Sequence, residues 1–132
     1  MNMQGKIWRD KHGVCHVDGK DREEAFELMG YAHGRDRGMQ MLLMRILGQG
    51  RTCELLDPSD EMLEIDTFFR RMNWAGSASP EAGKFSPAAR GVADAYNRGV
   101  NRALSAKIPW NSSFSGTSPK SGVLKTQSLS RG

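Results

Sequence analysis

The sequence predicts an α+β chain, mainly helical, with a short β-hairpin at its N-terminal end. Two brief β-prone runs flank a turn-forming tetrapeptide, and three later segments repeat apolar residues at threes and fours. A third observation is the spacing of Gly30, Gly34 and Gly38, one glycine per helical turn inside the first of those segments.

The β-prone runs are Ile7 to Arg9 and Val14 to Val17, and Asp10-Lys11-His12-Gly13 between them has the composition of a tight turn. Asp21 offers an N-cap, with Glu24 three places on as its reciprocal partner, so a helix should begin near Arg22. Ala25, Phe26, Met29, Ala32 and His33 fall at helical spacing, and Met39, Leu42, Leu43, Ile46 and Leu47 extend that face until Gly48 and Gly50 stop it. Each interior glycine costs a helix about 1 kcal/mol relative to alanine, so three on one side imply a helix pressed against another backbone. Their spacing imitates a membrane dimer motif, but Arg35, Asp36 and Arg37 between them rule out a lipid-facing helix.

A polar turn at Asp57-Pro58-Ser59-Asp60 opens a second helix, whose Met62, Ile65, Phe68, Phe69 and Met72 share one side and are expected in the core. Ser77-Ala78-Ser79-Pro80-Glu81 reads as a breaker. Pro87 then opens a third helix carrying Val92, Ala95, Tyr96, Gly99, Val100 and Leu104, with Pro109 ending it.

With 132 residues, 38% hydrophobic and 26% charged, the chain suits one globular domain. The formal net charge of +4 is uneven: Lys120, Lys125 and Arg131 supply +3 beyond Trp110 with no acidic residue, leaving +1 on residues 1–110. A nearly neutral body argues against nucleic acid as a partner. Cys15 and Cys53 form neither a disulfide framework nor a metal-spaced cluster, and reduced thiols are expected. The start runs into the first strand without an apolar signal core, so the chain either acts in the cytoplasm or begins upstream of Met1. Charged residues interrupt every apolar run, so no membrane span is expected.

Five ordered elements carry a family resemblance. Gly30-Tyr31, Asp36-Arg37 and Gln40-Met41 have the spacing of the penicillin acylase signature, and Arg9-Asp10 followed by Gly13-Val14-Cys15-His16 is similar to that family's opening strand and turn, with Cys15 in place of proline. Gly50-Arg51 with Glu54-Leu55, then Asp66 with Arg70, and finally Tyr96, Gly99 and Asn101 resemble three further elements. The resemblance implies part of the four-layer αββα sandwich of an N-terminal-nucleophile hydrolase, to which this chain contributes the hairpin and most of one helical layer.

The resemblance also implies the chemistry. A precursor cleaves itself to free a serine whose own α-amine, with a pKa of about 7.7–8, is its general base, while fixed amide donors stabilise the oxyanion. That serine, the oxyanion asparagine, the acyl pocket and the calcium-binding carboxylates all belong to later parts of the family. No catalytic, cofactor-binding or metal residue is therefore assigned here, although calcium is possible in a full-length relative. The expected function is the N-terminal part of an amidohydrolase acting on linear N-acyl bonds, inactive without its second chain. A small N-acyl compound would be the substrate of the intact enzyme.

Residues 1–110 are read as first-chain region and 111–132 as an aberrant tail, with seven serines in 22 residues and no periodicity. Tryptophan has one codon, ending in G, and asparagine codons begin AA. The Trp110/Asn111 junction therefore encodes glutamate in the neighbouring frame, and later codons permit a family-like continuation. We expect a lost nucleotide beside the Trp110 codon, with a genuine flexible tail as the alternative.

Other candidate sites have plain structural readings. His12 and His16 alternate with Asp10 and Asp18 without a third ligand cluster, which favours turn and strand roles over a metal. His33 with Asp36 and Arg37 suggests an acid/base group, against which stands a buried ion-pair network. Cys15 and His16 point to opposite faces of a strand, and Ser112 and Ser113 lack an adjacent base. A competing function is a small helical module whose Arg35, Arg37, Arg45 and basic tail engage an acidic partner or nucleic acid.

Overall fold

Asp10 organises the first turn: its carboxylate accepts the backbone N–H groups of His12 at 2.8 Å and Val14 at 3.0 Å. Gly13, at φ +81°, supplies the left-handed residue that closes the turn. Strands β1 (Lys6–Arg9) and β2 (Cys15–Asp18) consequently pair antiparallel, with Lys6 opposite Asp18, Ile7 opposite Val17, Trp8 opposite His16 and Arg9 opposite Cys15. The computed structural model describes residues 4–106, so the expected tail at 111–132 and Pro109 lie outside the described residues.

Helix α1 (Arg22–Gly48) starts where expected, and Asp21 accepts the Glu24 N–H at 2.8 Å. The reciprocal bond is not made. Glu24 is buried and takes the N–H groups of Lys20 at 2.7 Å and Gln4 at 2.9 Å, fastening the segment before β1 to the first helical turn. Arg37 leaves helical geometry at φ −129° and ψ 17°, which kinks α1 beyond Asp36.

The core lies between α1 and α5 (Pro87–Ser105), where Leu28, Ala32, Ile46, Ala95, Val100, Ala103 and Leu104 are buried. Ser86 caps α5 by accepting the Ala89 N–H, and Pro87 occupies the position where no intrahelical donor is missed. The two helices approach backbone to backbone. A Cβ on Gly30 would land on the Tyr96 carbonyl oxygen, one on Gly99 on the Glu27 carbonyl oxygen, and one on Gly34 2.7 Å from the Ala103 methyl. The glycine spacing thus encodes close helix packing, and Arg98 to Glu27 at 3.1 Å adds an ion pair across the same interface.

A short helix absent from the sequence reading, α2 (Thr52–Leu55), follows Gly50, which sits at φ +63°. Helix α3 (Asp60–Met72) begins at the expected turn, with Ser59 accepting the Met62 N–H. Its apolar side is only partly covered: of the residues expected in the core, Met62, Ile65 and Phe69 are half-buried and Phe68 and Met72 are exposed. Asp66 is the buried residue of α3, whereas Phe68 is 56% and Met72 49% exposed, and Leu63 is exposed as well. Periodicity shows which side of a helix is apolar, but neighbours decide how much of it is covered, and here they leave Phe68 and Met72 exposed.

Asn73, at φ +54°, ends α3 and starts α4 (Trp74–Gly83). The expected breaker therefore lies inside a helix. Pro80 withholds only its own N–H, and the alanines, serine and glutamate around it tolerate helical geometry. Phe69 packs edge-on against both Phe68 and Trp74, with ring centroids 5.3 Å apart in each pair, linking the two helices.

Candidate functional site

The hairpin and α1 meet through charge. Arg9 reaches from β1 to the carboxylate of Asp36, at 2.5 and 2.6 Å, and also donates to the Gly13 carbonyl at 3.0 Å. Both side chains are partly exposed, and Arg37 is exposed too. The buried Asp36–Arg37 network expected from the sequence is therefore corrected: Asp36 pairs with Arg9 on another element, at the surface of the described chain. The i to i+1 spacing sends the two side chains of a helix in different directions.

On the hairpin, His16 Nε2 lies 2.9 Å from Asp10, and the imidazole stacks on Trp8 with centroids 5.3 Å apart and planes 11° from parallel. The hydrogen bond from His16 holds the Asp10 carboxyl below its ordinary range, helped by the turn N–H groups that it also accepts. Asp10 is thus committed to the turn and to His16. Cys15 alternates with His16 along β2 and does not face it. His33 is exposed and contacts the Tyr96 hydroxyl at 3.0 Å, so it pairs with α5 and not with Asp36.

The most completely satisfied polar cluster joins α2 to α3. The buried Asp66 carboxylate accepts the Thr52 N–H at 2.7 Å, the Thr52 hydroxyl at 2.6 Å and the Cys53 N–H at 2.9 Å. It is therefore the N-terminal cap of α2, supplied from another helix. Burial alone would raise its pKa, but the bonds from Thr52 and Cys53 outweigh that, and the carboxyl sits below its ordinary value. One turn on, Arg70 donates to the Gly50 carbonyl at 2.8 Å, and Arg51 pairs with Glu54 at 2.7 Å.

Asp66 and Arg70 thereby clamp the segment from Gly50 to Cys53, joining two motifs that are separate in the sequence. Burial raises the Cys53 thiol, so it is a poor nucleophile.

Apart from the Tyr96 phenol beside His33, none of these clusters brings an accessible hydroxyl or thiol to a general base. Thr52 does donate to a carboxylate, but it is fully buried. Among the described residues no group of three or more His, Cys, Asp or Glu is placed to hold a metal. No helix of the described residues is long and apolar enough to cross a membrane. Arg35 and Arg37 are exposed while Arg45 is half-buried, so the three do not form one open basic patch. Sequence reasoning marked Arg9, Asp36, Asp66 and Arg70 as motif residues but missed their partners, because each pairs across elements.

Comparison with known proteins gives consistent results. Residues 4–123 match the family model for penicillin amidase. The acyl-homoserine lactone acylase QuiP of Pseudomonas aeruginosa is 33% identical over 117 residues, which cover 86% of this chain but 14% of that protein. The penicillin G acylase of Escherichia coli is 29% identical, with 73% of this chain and 11% of that protein aligned. Among solved structures, a thermostable penicillin G acylase from Alcaligenes faecalis superimposes with a TM-score of 0.69 at 25% identity, covering 79% of this chain and 54% of that one.

Proposed function

This chain belongs to the penicillin amidase family, and from that membership we propose that it is the framework part of an amidohydrolase whose attacking serine lies on other polypeptide. The reading rests on one observation: the chain matches the family model over residues 4–123 yet spans 14% of the length of the P. aeruginosa relative. The internal chemistry agrees with it. Arg9–Asp36, Asp66–Thr52 and the α1–α5 glycines hold backbone in place, and the Tyr96 hydroxyl beside His33 joins α5 to α1.

The proposed substrate class is a linear N-acyl amide, as suggested by relatives named for acyl-homoserine lactones and penicillins. The proposed partner is the second chain of the same precursor type. In that assembly the resident nucleophile would attack the carbonyl carbon, with its α-amine taking the hydroxyl proton. This chain's contribution is to fix the neighbouring layer, not to touch the reacting atoms.

The test is hydrolysis of an N-acyl-homoserine lactone and of penicillin G by the purified 132-residue protein, alone and with the remaining polypeptide of the P. aeruginosa relative. Release of the amine only when both are present is the expected result. Turnover by the 132-residue protein alone would overturn the proposal.

A further inference from the structure

Helix α3 carries a seam that the described chain leaves largely open. Glu61, Ile65, Phe68 and Met72 recur at intervals of four, three and four, the spacing by which one helix meets another along its length. Phe68 and Met72 are exposed and Ile65 is half-buried. Trp74, also exposed, continues the apolar surface just past the end of α3, joined to Phe68 through the ring of Phe69. Leu63, the remaining large exposed apolar side chain of α3, lies on the opposite side of the helix by its angular position and is no part of the seam.

One flank of the seam is marked by charge. Glu64 and Arg71 are seven residues apart, so they hold the same angular position, the acid toward the start of the helix and the base toward its end. Both are exposed, and neither makes an ion pair among the described residues. The helix dipole does not account for Glu64, which lies beyond the first turn.

We propose that α3 is a self-association surface whose occupant is α3 of a second copy of this chain, packed antiparallel about a twofold axis. In that arrangement Ile65 packs against the partner's Phe68, Met72 lies along the stem of the partner's Glu61, and Glu64 meets the partner's Arg71, each contact occurring twice. A parallel pair would set Glu64 against the partner's Phe69 and leave both charges unmatched. An acid and a base placed on either side of an apolar centre, on one flank, complement themselves. A polypeptide of different sequence would need no such symmetry. The contact requires only this chain and therefore stands or falls apart from the proposed function. One helix width covers less than the roughly 1,200 Å² of stable complexes, so a dissociation constant on the order of 1–100 μM is expected.

The test is sedimentation equilibrium of the purified 132-residue protein over roughly 1–300 μM. A reversible monomer–dimer equilibrium without larger species is expected. Glu64→Arg and Arg71→Glu should each weaken it at least about tenfold, since either reversal sets two like-charge pairs across the axis. The double variant should return to within about threefold of wild type, because the same pairs reform with their signs exchanged. Phe68→Ser should abolish the dimer, and Leu63→Ser, on the opposite side, should leave it unchanged. Added NaCl should weaken the wild-type dimer by screening the exposed pairs, a readout that needs no variant.

Monomer at every concentration overturns the proposal. In that case loss, in Phe68→Ser, of binding to the remaining polypeptide of the P. aeruginosa relative would assign the seam to that polypeptide. Open-ended aggregation, equal effects of Leu63→Ser and Phe68→Ser, or a double variant no better than the single reversals would each overturn it as well, by showing apolar adhesion without the paired charges.

Discussion

Replacing Gly99 by alanine isolates the contact that holds the two long helices together. A Cβ at that position would overlap the Glu27 carbonyl oxygen and lie 2.7 Å from the Tyr31 nitrogen. Both are backbone atoms of α1 and cannot rotate away, so relief requires the helices to part. A gap of about 1 Å forfeits up to roughly half of the dispersion attraction between facing atoms, and overpacking of this kind costs about 1–3 kcal/mol.

Backbone-on-Cβ overlap belongs at the upper end of that range. Alanine returns about 1 kcal/mol of helix propensity, which leaves a net destabilisation of about 2 kcal/mol, or roughly 10 °C in Tm for a domain of this size. Gly48→Ala is the internal control, since nothing lies within 4 Å of a Cβ there. It should gain up to about 1 kcal/mol from helix propensity alone. Thermal and urea unfolding followed by circular dichroism at 222 nm read both. If Gly99→Ala unfolds at or above the wild-type midpoint, the account of the α1–α5 contact is wrong.

Further outcomes are expected at other positions. Asp66→Asn should destabilise by about 2 kcal/mol at neutral pH, because charge-assisted bonds to Thr52 and Cys53 are lost. The Asp66 carboxyl is lowered from its ordinary 3.8, so its contribution is present above that pH and disappears as pH falls through the folded-state pKa. Urea midpoints between pH 6 and pH 2 should therefore fall less steeply in Asp66→Asn than in wild type, and parallel curves would refute the assignment.

Leu63→Ser with Phe68→Ser, both at exposed apolar positions, should reduce light scattering at high concentration with little change in unfolding midpoint. A large loss of stability would show that this face is buried after all. Sequencing DNA across the Trp110 codon should reveal glutamate and a family-like continuation in the neighbouring frame. The family match extends to residue 123, so the same readout separates a shifted frame from a divergent continuation in frame, which would refute the expectation.

Local chemistry was legible in the residues themselves. Asp21 as a cap and the Asp57–Asp60 turn were readable as helix starts because such signals need only residues close in the chain. The hairpin was legible from Asp10 to Gly13 for the same reason, and Gly30 and Gly34 announced a close neighbour, since glycine in a helix interior otherwise costs stability. The family followed from ordered motifs, each a few residues long.

What the chain could not disclose was every choice of partner across elements. Glu24 has the right spacing to return to Asp21, yet it bonds Lys20 and Gln4, because the incoming segment presents unsatisfied donors there. Asp36 sits beside Arg37 in the sequence but is claimed by Arg9 from the hairpin, and Asp66 caps a helix fourteen residues before it. The apolar stripe of α3 has the pattern of a core helix but is half covered, with Phe68 and Met72 left exposed, since a pattern specifies an apolar side but not the extent of its cover. Sequence thus determined the hairpin, the three long helices and the family through short-range chemistry, but not α2 or α4. Only the tertiary arrangement decided which charges meet and which faces stay uncovered, because those depend on groups brought together from far along the chain.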